Sequence, residues 1–191
     1  DIVSSPDLVN KAYQVVRFLE LSKLRLDSIK TVVEFGGGYG ALALYIKRLL
    51  PEVSYFLIET PTVASVAYQY LQDSLPEIVH IATDSYVEPS VNIVPTALMG
   101  TIIHKADVFI SQGALCETPN NVIDTVAENE WFGAKHGMLI LWEHEHLLGK
   151  LAETKRVVVE PLDPWKGQHF VSFYPQRAKR SARKAKVEVE Q

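Results

Sequence analysis

Four glycines within five positions join an apolar run to an amphipathic segment in TVVEFGGGYGALALYI, residues 31–46. Residues 31–35 have the character of a buried strand, and residues 39–50 have that of a helix ended by Pro51. Glycine loses more backbone freedom on folding than other residues, so this turn must gain something from its lack of side chains. The stretch predicts a strand, a glycine turn and a helix whose free N–H groups face a ligand.

Strands and helices continue to alternate through the rest of the chain. Strands are predicted at 54–59, 78–83, 107–111 and 137–142 and in the segments RVVVEP and HFVSFYP. Helices are predicted at 61–75 and in the segments SPDLVNKAYQVVRFLELSK, TPNNVIDTVAENEWF and EHEHLLGKLAE. Residues 85–105 have no readable period, because Pro89, Pro95 and Gly100 interrupt them. The order predicts an α/β protein with a Rossmann-like, mainly parallel seven-stranded sheet, helices on both faces and a C-terminal antiparallel strand.

The length and composition fit a single globular domain. The chain has 191 residues, of which 47% are hydrophobic, and this suits one core better than two. We expect a helical segment at 1–30, a ligand-binding domain at 31–176 and a basic, disordered tail at 177–191. The tail holds six basic and two acidic residues, which leaves a net charge of −8 on the rest of the chain. An acidic body makes nucleic acid an unfavourable ligand for the globular part.

The sequence has no apolar run long enough to cross a membrane and no signal-peptide pattern. The single cysteine, Cys116, excludes an internal disulfide bond and suits a reducing compartment, so we expect a cytoplasmic protein with no membrane partner. The chain begins with Asp1, and only 30 residues precede the first strand. We therefore expect a trimmed chain, a fragment, or a protein completed by a second copy or a partner subunit.

Two kinds of ligand fit the glycine turn. The run G-x-G-x-x-A that starts at Gly36 satisfies the dinucleotide fingerprint, with Glu59 at the end of the second strand as the ribose carboxylate. The run E-x-G-x-G-x-G that starts at Glu34 satisfies the motif of enzymes that use S-adenosylmethionine (SAM). A carboxylate at Glu34 would repel a pyrophosphate and attract the ammonium group of methionine, so we expect SAM as the cofactor. A structural turn that binds nothing is the alternative.

The segment VVEFGGGYGALALYIKRLLPEVSYFLIETPTVASVAYQYL resembles the first half of the class I SAM-dependent methyltransferases. Within that superfamily it is most similar to the sugar O-methyltransferases of bacterial saccharide gene clusters. The matching features are E-x-G-G-G-Y-G from Glu34 to Gly40, Pro51, Glu59-Thr60-Pro61, Tyr70-Leu71, and Ser111, Ala114, Leu115 and Glu117 after the fourth strand. The resemblance implies a class I methyltransferase fold and a small-molecule acceptor, with a saccharide as the candidate.

The resemblance also implies which residues contact the cofactor. Glu34, Gly36 and Gly38 would line the methionine end, and Gly37 and Gly40 would also belong to the cofactor site. Glu59 would accept both ribose hydroxyls, and Thr60 would lie beside the adenine. Asp84 would contact the adenine amino group, and Ser111 and Gln112 would face the methionine and the transferring methyl group. Each of the last three residues has a structural alternative. Asp84 could form a turn with Ser85, and the other two could be ordinary residues of a strand end.

The cluster WEHEH, from Trp142 to His146, is the main candidate for a catalytic base, because it follows the fifth strand. In an extended segment its two histidines would share one face. Three interpretations remain: His144 or His146 is a general base, the cluster binds a divalent metal that polarises the acceptor hydroxyl, or it is the charged start of a helix. Glu117 is a further candidate base. We assign no residue as a metal ligand.

These observations favour a SAM-dependent methyltransferase that acts on a hydroxyl group of a sugar or another small metabolite. A methyltransferase-like scaffold or subunit without activity is the first alternative, because of the short N-terminal segment and the basic tail. An NAD-dependent oxidoreductase is the second alternative, and the carboxylate of Glu34 disfavours it.

Overall fold

The computed structural model describes residues 6–75, 78–102, 105–142, 144–162 and 167–176. The helices are α1 (Pro6–Ser22), α2 (Ala41–Leu49), α3 (Pro61–Ser74), α4 (Met99–Ile102), α5 (Asn120–Glu128) and α6 (Glu145–Thr154). The strands are β1 (Thr31–Phe35), β2 (Ser54–Glu59), β3 (Val79–Ile81), β4 (Val91–Pro95), β5 (Val108–Gln112), β6 (His136–Trp142), β7 (Lys155–Pro161) and β8 (Gln168–Pro175). The predicted tail at 177–191 lies outside the described residues, as does Glu143.

All eight strands belong to one sheet, in the order β3-β4-β2-β1-β5-β6-β8-β7. Strands β1 to β6 run parallel to one another, and β8 runs antiparallel to both β6 and β7. The predicted Rossmann-like, mainly parallel α/β fold is confirmed, and the antiparallel end arises because no helix joins β7 to β8. The predicted count of seven strands is wrong.

The eighth strand is β4, which lies in the segment 85–105 that had no readable period. Its backbone pairs with β2 on one side and with β3 on the other. The buried side chain of Asn92 closes the preceding loop, because it accepts a hydrogen bond from the N–H of Val87 at 2.9 Å and donates one to the carbonyl of Val87 at 2.8 Å. The strand begins two residues after Pro89 and ends at Pro95, and its place between β2 and β3 leaves β3 at the edge of the sheet.

Helices cover both faces of the sheet. The core on one face packs α1, α2 and α3 against the strands, and the core on the other face packs α5 and α6. The first helix belongs to this body, since Val15 and Phe18 are buried in the first core. None of the helices in the described ranges is long and apolar enough to cross a bilayer.

The register of the strands places the ends of β1, β2, β4 and β5 at one edge. Phe35 pairs with Ile58, Glu59 pairs with Pro95, and Glu34 pairs with Ile110. The carboxyl ends of parallel strands are where open α/β sheets bind ligands, so this edge is where a site is expected.

Candidate active site

A cavity of about 510 Å³ opens at the carboxyl edge of the sheet, beside the glycine turn. Its lining includes Gly36, Glu59, Thr60, Thr96, Ala114 and Thr118, which come from four different strand ends. Sites for small molecules in proteins typically have volumes of roughly 300–1,000 Å³. The cavity is thus large enough for a cofactor and lies where the fold predicts one.

The glycine turn has no room for a Cβ at three of its four glycines, Gly36, Gly37 and Gly40. A Cβ on Gly36, where φ is +73°, would clash with Cβ of Ala114, and a Cβ on Gly37 would clash with the carboxylate of Glu34. Gly38 differs, because a Cβ there would meet no atom within 4 Å. The turn therefore packs tightly against its neighbours and leaves the backbone of Gly38 open to a ligand.

The carboxylate of Glu59 ties the glycine turn to the end of β2. It lines the cavity, and it accepts hydrogen bonds from the N–H of Gly38 at 2.7 Å and from the N–H of Thr60 at 3.0 Å. Because a carboxylate has about four acceptor positions, two remain for groups of a ligand. This arrangement suits a pair of adjacent hydroxyl groups, such as those of a ribose.

Glu34 lies beneath the glycine turn and is 1% exposed. Its Oε2 accepts a hydrogen bond from the hydroxyl of Tyr55 at 2.7 Å. Burial raises the pKa of Glu34 to about 7, although the Tyr55 hydrogen bond and the charge of Lys11 act in the opposite direction. The carboxylate reaches the turn from below, next to Gly37, so its contact with the methionine end of a cofactor stays a prediction.

Ser111 and Gln112, at the end of β5, have partners within the protein. Oγ of Ser111 is buried and accepts a hydrogen bond from the N–H of Leu115 at 3.1 Å, so it shapes the turn that carries Ala114 into the cavity. Gln112 accepts a hydrogen bond from Nζ of Lys11 at 2.9 Å and donates one to Gln14 at 2.5 Å. Gln112 thereby joins the strand end to α1.

Asp84 follows β3, which lies at the edge of the sheet because β4 takes the place beside β2. Its contact with the adenine amino group stays a prediction. Asp84 is exposed and accepts a hydrogen bond from Thr83 at 3.0 Å. It does not line the cavity, and the residues that do so at this point are Thr96, Ala97 and Met99, which follow β4.

The cavity residues Thr96, Ala97 and Met99 are not among the predicted site residues, and neither is Lys11 of α1, whose Nζ donates a hydrogen bond to Gln112. The run VNIV at 91–94 was the available signal for β4, since four residues between prolines suffice for a short buried strand. Lys11 gave no signal of its own, because its position in an amphipathic helix resembles that of any solvent-facing lysine.

The two histidines of the WEHEH cluster do not share an extended face, because α6 begins at Glu145, and this agrees with the third interpretation, the charged start of a helix. His144 is the residue before α6, and its Nδ1 accepts a hydrogen bond from the N–H of Leu147 at 3.3 Å. His146 lies within α6, and its Nε2 is 2.9 Å from Oδ1 of Asp124 in α5. The reason is local, because the first N–H groups of α6 have no partner within the helix and Nδ1 of His144 accepts from one of them.

Glu117 lies in the turn after β5 and is exposed. Two residues of the same turn, Ala114 and Thr118, line the cavity. It is the candidate base closest in the chain to cavity-lining residues. The described part of the chain contains no group of three or more His, Cys, Asp or Glu residues that could hold a metal ion.

The residues present fit S-adenosylmethionine. The cavity wall is largely apolar, with Phe35, Ile58, Met99 and Val122 available for the adenine. The free acceptor positions of Glu59 match the ribose hydroxyls, and the bare backbone of the glycine turn leaves space for the rest of the molecule.

The sequence profile of the O-methyltransferase domain family matches residues 7–109, just over half of the chain. None of the curated protein sequences compared matches the chain. Among solved structures, the mitomycin 7-O-methyltransferase MmcR has a TM-score of 0.56 at 17% identity, over 87% of this chain and 53% of that one. Precorrin-6y C5,15-methyltransferase from Geobacter metallireducens has a TM-score of 0.60 at 13% identity, over 87% of both chains.

A third similar structure is magnesium protoporphyrin IX methyltransferase from Synechocystis PCC 6803, solved with bound SAM. It has a TM-score of 0.55 at 12% identity, over 87% of this chain and 76% of that one. At such identities the likeness shows a shared fold. The chain spans about half of the length of MmcR and of the methyltransferases SibL and CurJ.

Proposed function

The chain belongs to the O-methyltransferase domain family, and we propose that it transfers a methyl group from SAM to a hydroxyl group of a sugar or another small hydroxylated metabolite. The observation that carries the proposal is the carboxylate of Glu59, which lines the cavity at the carboxyl edge of the sheet and accepts a hydrogen bond from the N–H of Gly38 in the glycine turn. Because the chain spans about half of several relatives, the activity and substrate of the whole protein are part of the proposal.

S-adenosylmethionine is the cofactor of this domain. When bound, it supplies a methyl group attached to a positively charged sulfur. The protein contributes position, because a displacement reaction gains most of its rate when the two reacting groups are held close and in line. Glu59 would hold the ribose, and the glycine turn would let the methionine portion lie against the backbone.

Trp142 supports an acceptor with a flat or apolar face. It is the last residue of β6, it is 44% exposed, and its ring lies against Gly113, where a Cβ would be 3.5 Å from Cζ3. Gly113 directly precedes Ala114, which lines the cofactor cavity. An exposed indole at this point can stack on the C–H face of a sugar ring or on an aromatic ring.

Glu117 is the base that we favour. In His144 the lone pair of Nδ1 is used by the N–H of Leu147, so the proton lies on Nε2 and neither nitrogen can accept another from a hydroxyl group. Nε2 of His146 is hydrogen-bonded to Asp124 on α5, and neither of these residues lines the cavity. Glu117 has an exposed carboxylate in the turn that borders the cavity.

The test of the proposed function has two parts. Calorimetry with S-adenosylhomocysteine (SAH) should give a dissociation constant below about 100 µM, the range expected of a cavity that buries most of its ligand. Incubation with SAM that carries a labelled methyl group should then label at least one member of a panel of sugars and small alcohols. Absence of SAH binding would contradict the proposal as a whole. Binding without labelling of any acceptor would instead favour the inactive scaffold.

The choice of base leads to a direct prediction. With an acceptor from the panel, Glu117→Gln should lower kcat about 100-fold, because general bases contribute roughly 10²–10⁴ to rates. His146→Gln is the matched comparison and should leave kcat nearly unchanged. Both variants should bind SAH like the parent, and a larger kcat loss in His146→Gln than in Glu117→Gln would reverse the assignment.

The stacking role of Trp142 gives a separate prediction. Trp142→Ala should raise the KM of the acceptor about tenfold, because it removes an aromatic contact of about 1.4 kcal/mol. Trp142→Phe keeps a flat ring and should retain most of the affinity. The dissociation constant of SAH should not change in either variant. Equal acceptor KM values in all three proteins would show that the indole does not touch the acceptor.

A further inference from the structure

The first half of α1 lies over the end of β5 through Lys11. Nζ of Lys11 donates a hydrogen bond to Oε1 of Gln112 at 2.9 Å, and Gln112 is the last residue of that strand. The side chain of Lys11 is 18% exposed, so it is largely covered but still open to a small ligand. Gln14 lies one helical turn further on, is buried, and accepts a hydrogen bond from the same Gln112. Lys11 is therefore held at the carboxyl edge of the sheet.

Lys11 is also connected to the glycine turn. It lies 3.6 Å from Oδ1 of Asp7, and the hydroxyl of Tyr39 in the turn donates to Oδ2 of Asp7 at 3.1 Å. Burial raises the pKa of Glu34, which lies beneath the turn, and the charge of Lys11 offsets part of this rise. These contacts place the ammonium group between the glycine turn on one side and the end of β5 on the other.

The sheet order indicates which end of the cofactor faces Lys11. Glu59, the ribose ligand of the proposed function, ends β2, and β1 separates β2 from β5. A cofactor with its ribose at Glu59 and its chain along the glycine turn therefore extends its amino-acid end toward β5. That end carries one ammonium and one carboxylate group. The ionised carboxylate of Glu34, beneath the turn, and the ammonium group of Lys11, beside it, have the charges that match these two groups.

The ammonium group of Lys11 has N–H bonds available for such a contact. An ammonium group has three N–H bonds, of which one is directed to Gln112, and 3.6 Å to Asp7 is longer than a hydrogen bond. The other basic residues of the helix are placed differently. Arg17 is held by Glu160 of β7 at 2.8 Å, and Lys23 follows the far end of α1.

We propose that Lys11 binds the carboxylate of the cofactor's methionine moiety, so that α1 forms one wall of the cofactor site; this rests on the proposed function. The helix does more than complete the core in this view. It contributes the cation that selects a ligand with an amino-acid end over one that lacks it. The ligand that this site recognises is an adenosine whose sulfur-linked chain ends in a free α-carboxylate.

The experiment compares two ligands that differ in this carboxylate. Calorimetry would measure the binding of SAH and of S-adenosyl-3-thiopropylamine, its decarboxylated analogue, to the parent and to Lys11→Met. The parent should prefer SAH by about tenfold, as expected for a charge-assisted hydrogen bond in a partly covered site. Lys11→Met should lose about tenfold in affinity for SAH and bind the analogue like the parent, so that the preference disappears.

Lys23→Met is the matched control, since it removes the same charge from the exposed end of the helix and should keep the preference. Lys11→Gln provides a second test if Lys11→Met does not fold, because its amide can still donate to Gln112. An unchanged preference in the Lys11 variant overturns the inference. Equal losses for both ligands also overturn it, since they would mean that Lys11 only anchors α1. If the parent binds neither ligand, the proposed function fails and the inference fails with it.

Discussion

Replacing Glu59 with glutamine is expected to weaken the binding of SAH about 100-fold. The carboxylate accepts hydrogen bonds from the N–H groups of Gly38 and Thr60, and its remaining acceptor positions face the cavity. A glutamine amide has one oxygen, so its NH₂ group would oppose one backbone N–H and could not accept from a second ribose hydroxyl. Two lost charge-assisted hydrogen bonds amount to about 3 kcal/mol, which is a factor of roughly 100. Calorimetry with SAH measures the change directly.

Glu52→Gln is a suitable control for this experiment. Glu52 is exposed and precedes β2, at the opposite end of the strand from Glu59, so the variant loses the same charge far from the cavity. It should bind SAH like the parent. Thermal unfolding of both variants shows whether the loss of the Gly38 contact unfolds the protein. A folded Glu59→Gln protein that binds SAH as tightly as the parent would place the ribose elsewhere.

Replacing Glu34 with glutamine is expected to stabilise the free protein at pH 8 by up to about 3 kcal/mol. Burial raises the pKa of Glu34 to about 7 in the folded protein, from an ordinary value of 4.5, so folding favours the protonated form. The unfolded chain releases this proton near pH 4.5 and the folded chain near pH 7. Stability therefore falls as the pH rises between these values and stays low above them. Glutamine resembles the protonated acid and avoids the loss.

The measurement is urea unfolding of the parent and Glu34→Gln at pH 5 and pH 8. The two proteins should have nearly equal free energies of unfolding at pH 5, and the variant should have the larger one at pH 8. Comparing them at each pH removes the contribution of every other titrating group, because both proteins contain it. Glu20→Gln, at an exposed site on α1, should show no such difference. If Glu34→Gln is less stable than the parent at pH 8, the carboxylate is better solvated or paired than its burial implies.

The same variant separates stability from binding. A carboxylate that is kept buried at the expense of stability is expected to have a use, and the proposed use is to attract the ammonium group of the cofactor. Glu34→Gln should therefore bind SAH about tenfold more weakly at pH 8, although it is the more stable protein. Tighter binding together with higher stability would remove Glu34 from the cofactor site.

The sequence by itself determined the fold class and the region of the cofactor site. The βα alternation, the apolar strand at 31–35 and the glycine turn at 36–40 are local features, and backbone sterics and hydrophobic periodicity fix such features within a few residues. The strand at 54–59 has the predicted ends, and Glu59, the predicted ribose ligand, accepts a hydrogen bond from the N–H of Gly38. These two residues are only 21 positions apart within one βαβ unit.

Only the tertiary structure decided the strand order, the surroundings of Glu34 and the place of α1. Strand order depends on pairing between distant segments, so the run VNIV could indicate a strand at 91–94 but not that this strand would lie between β2 and β3. Whether Glu34 is solvated or buried depends on Tyr55 from the neighbouring strand. Lys11 meets Gln112 across 101 residues of sequence. A periodic pattern shows which face of a helix is apolar, but long-range packing decides what its polar residues meet.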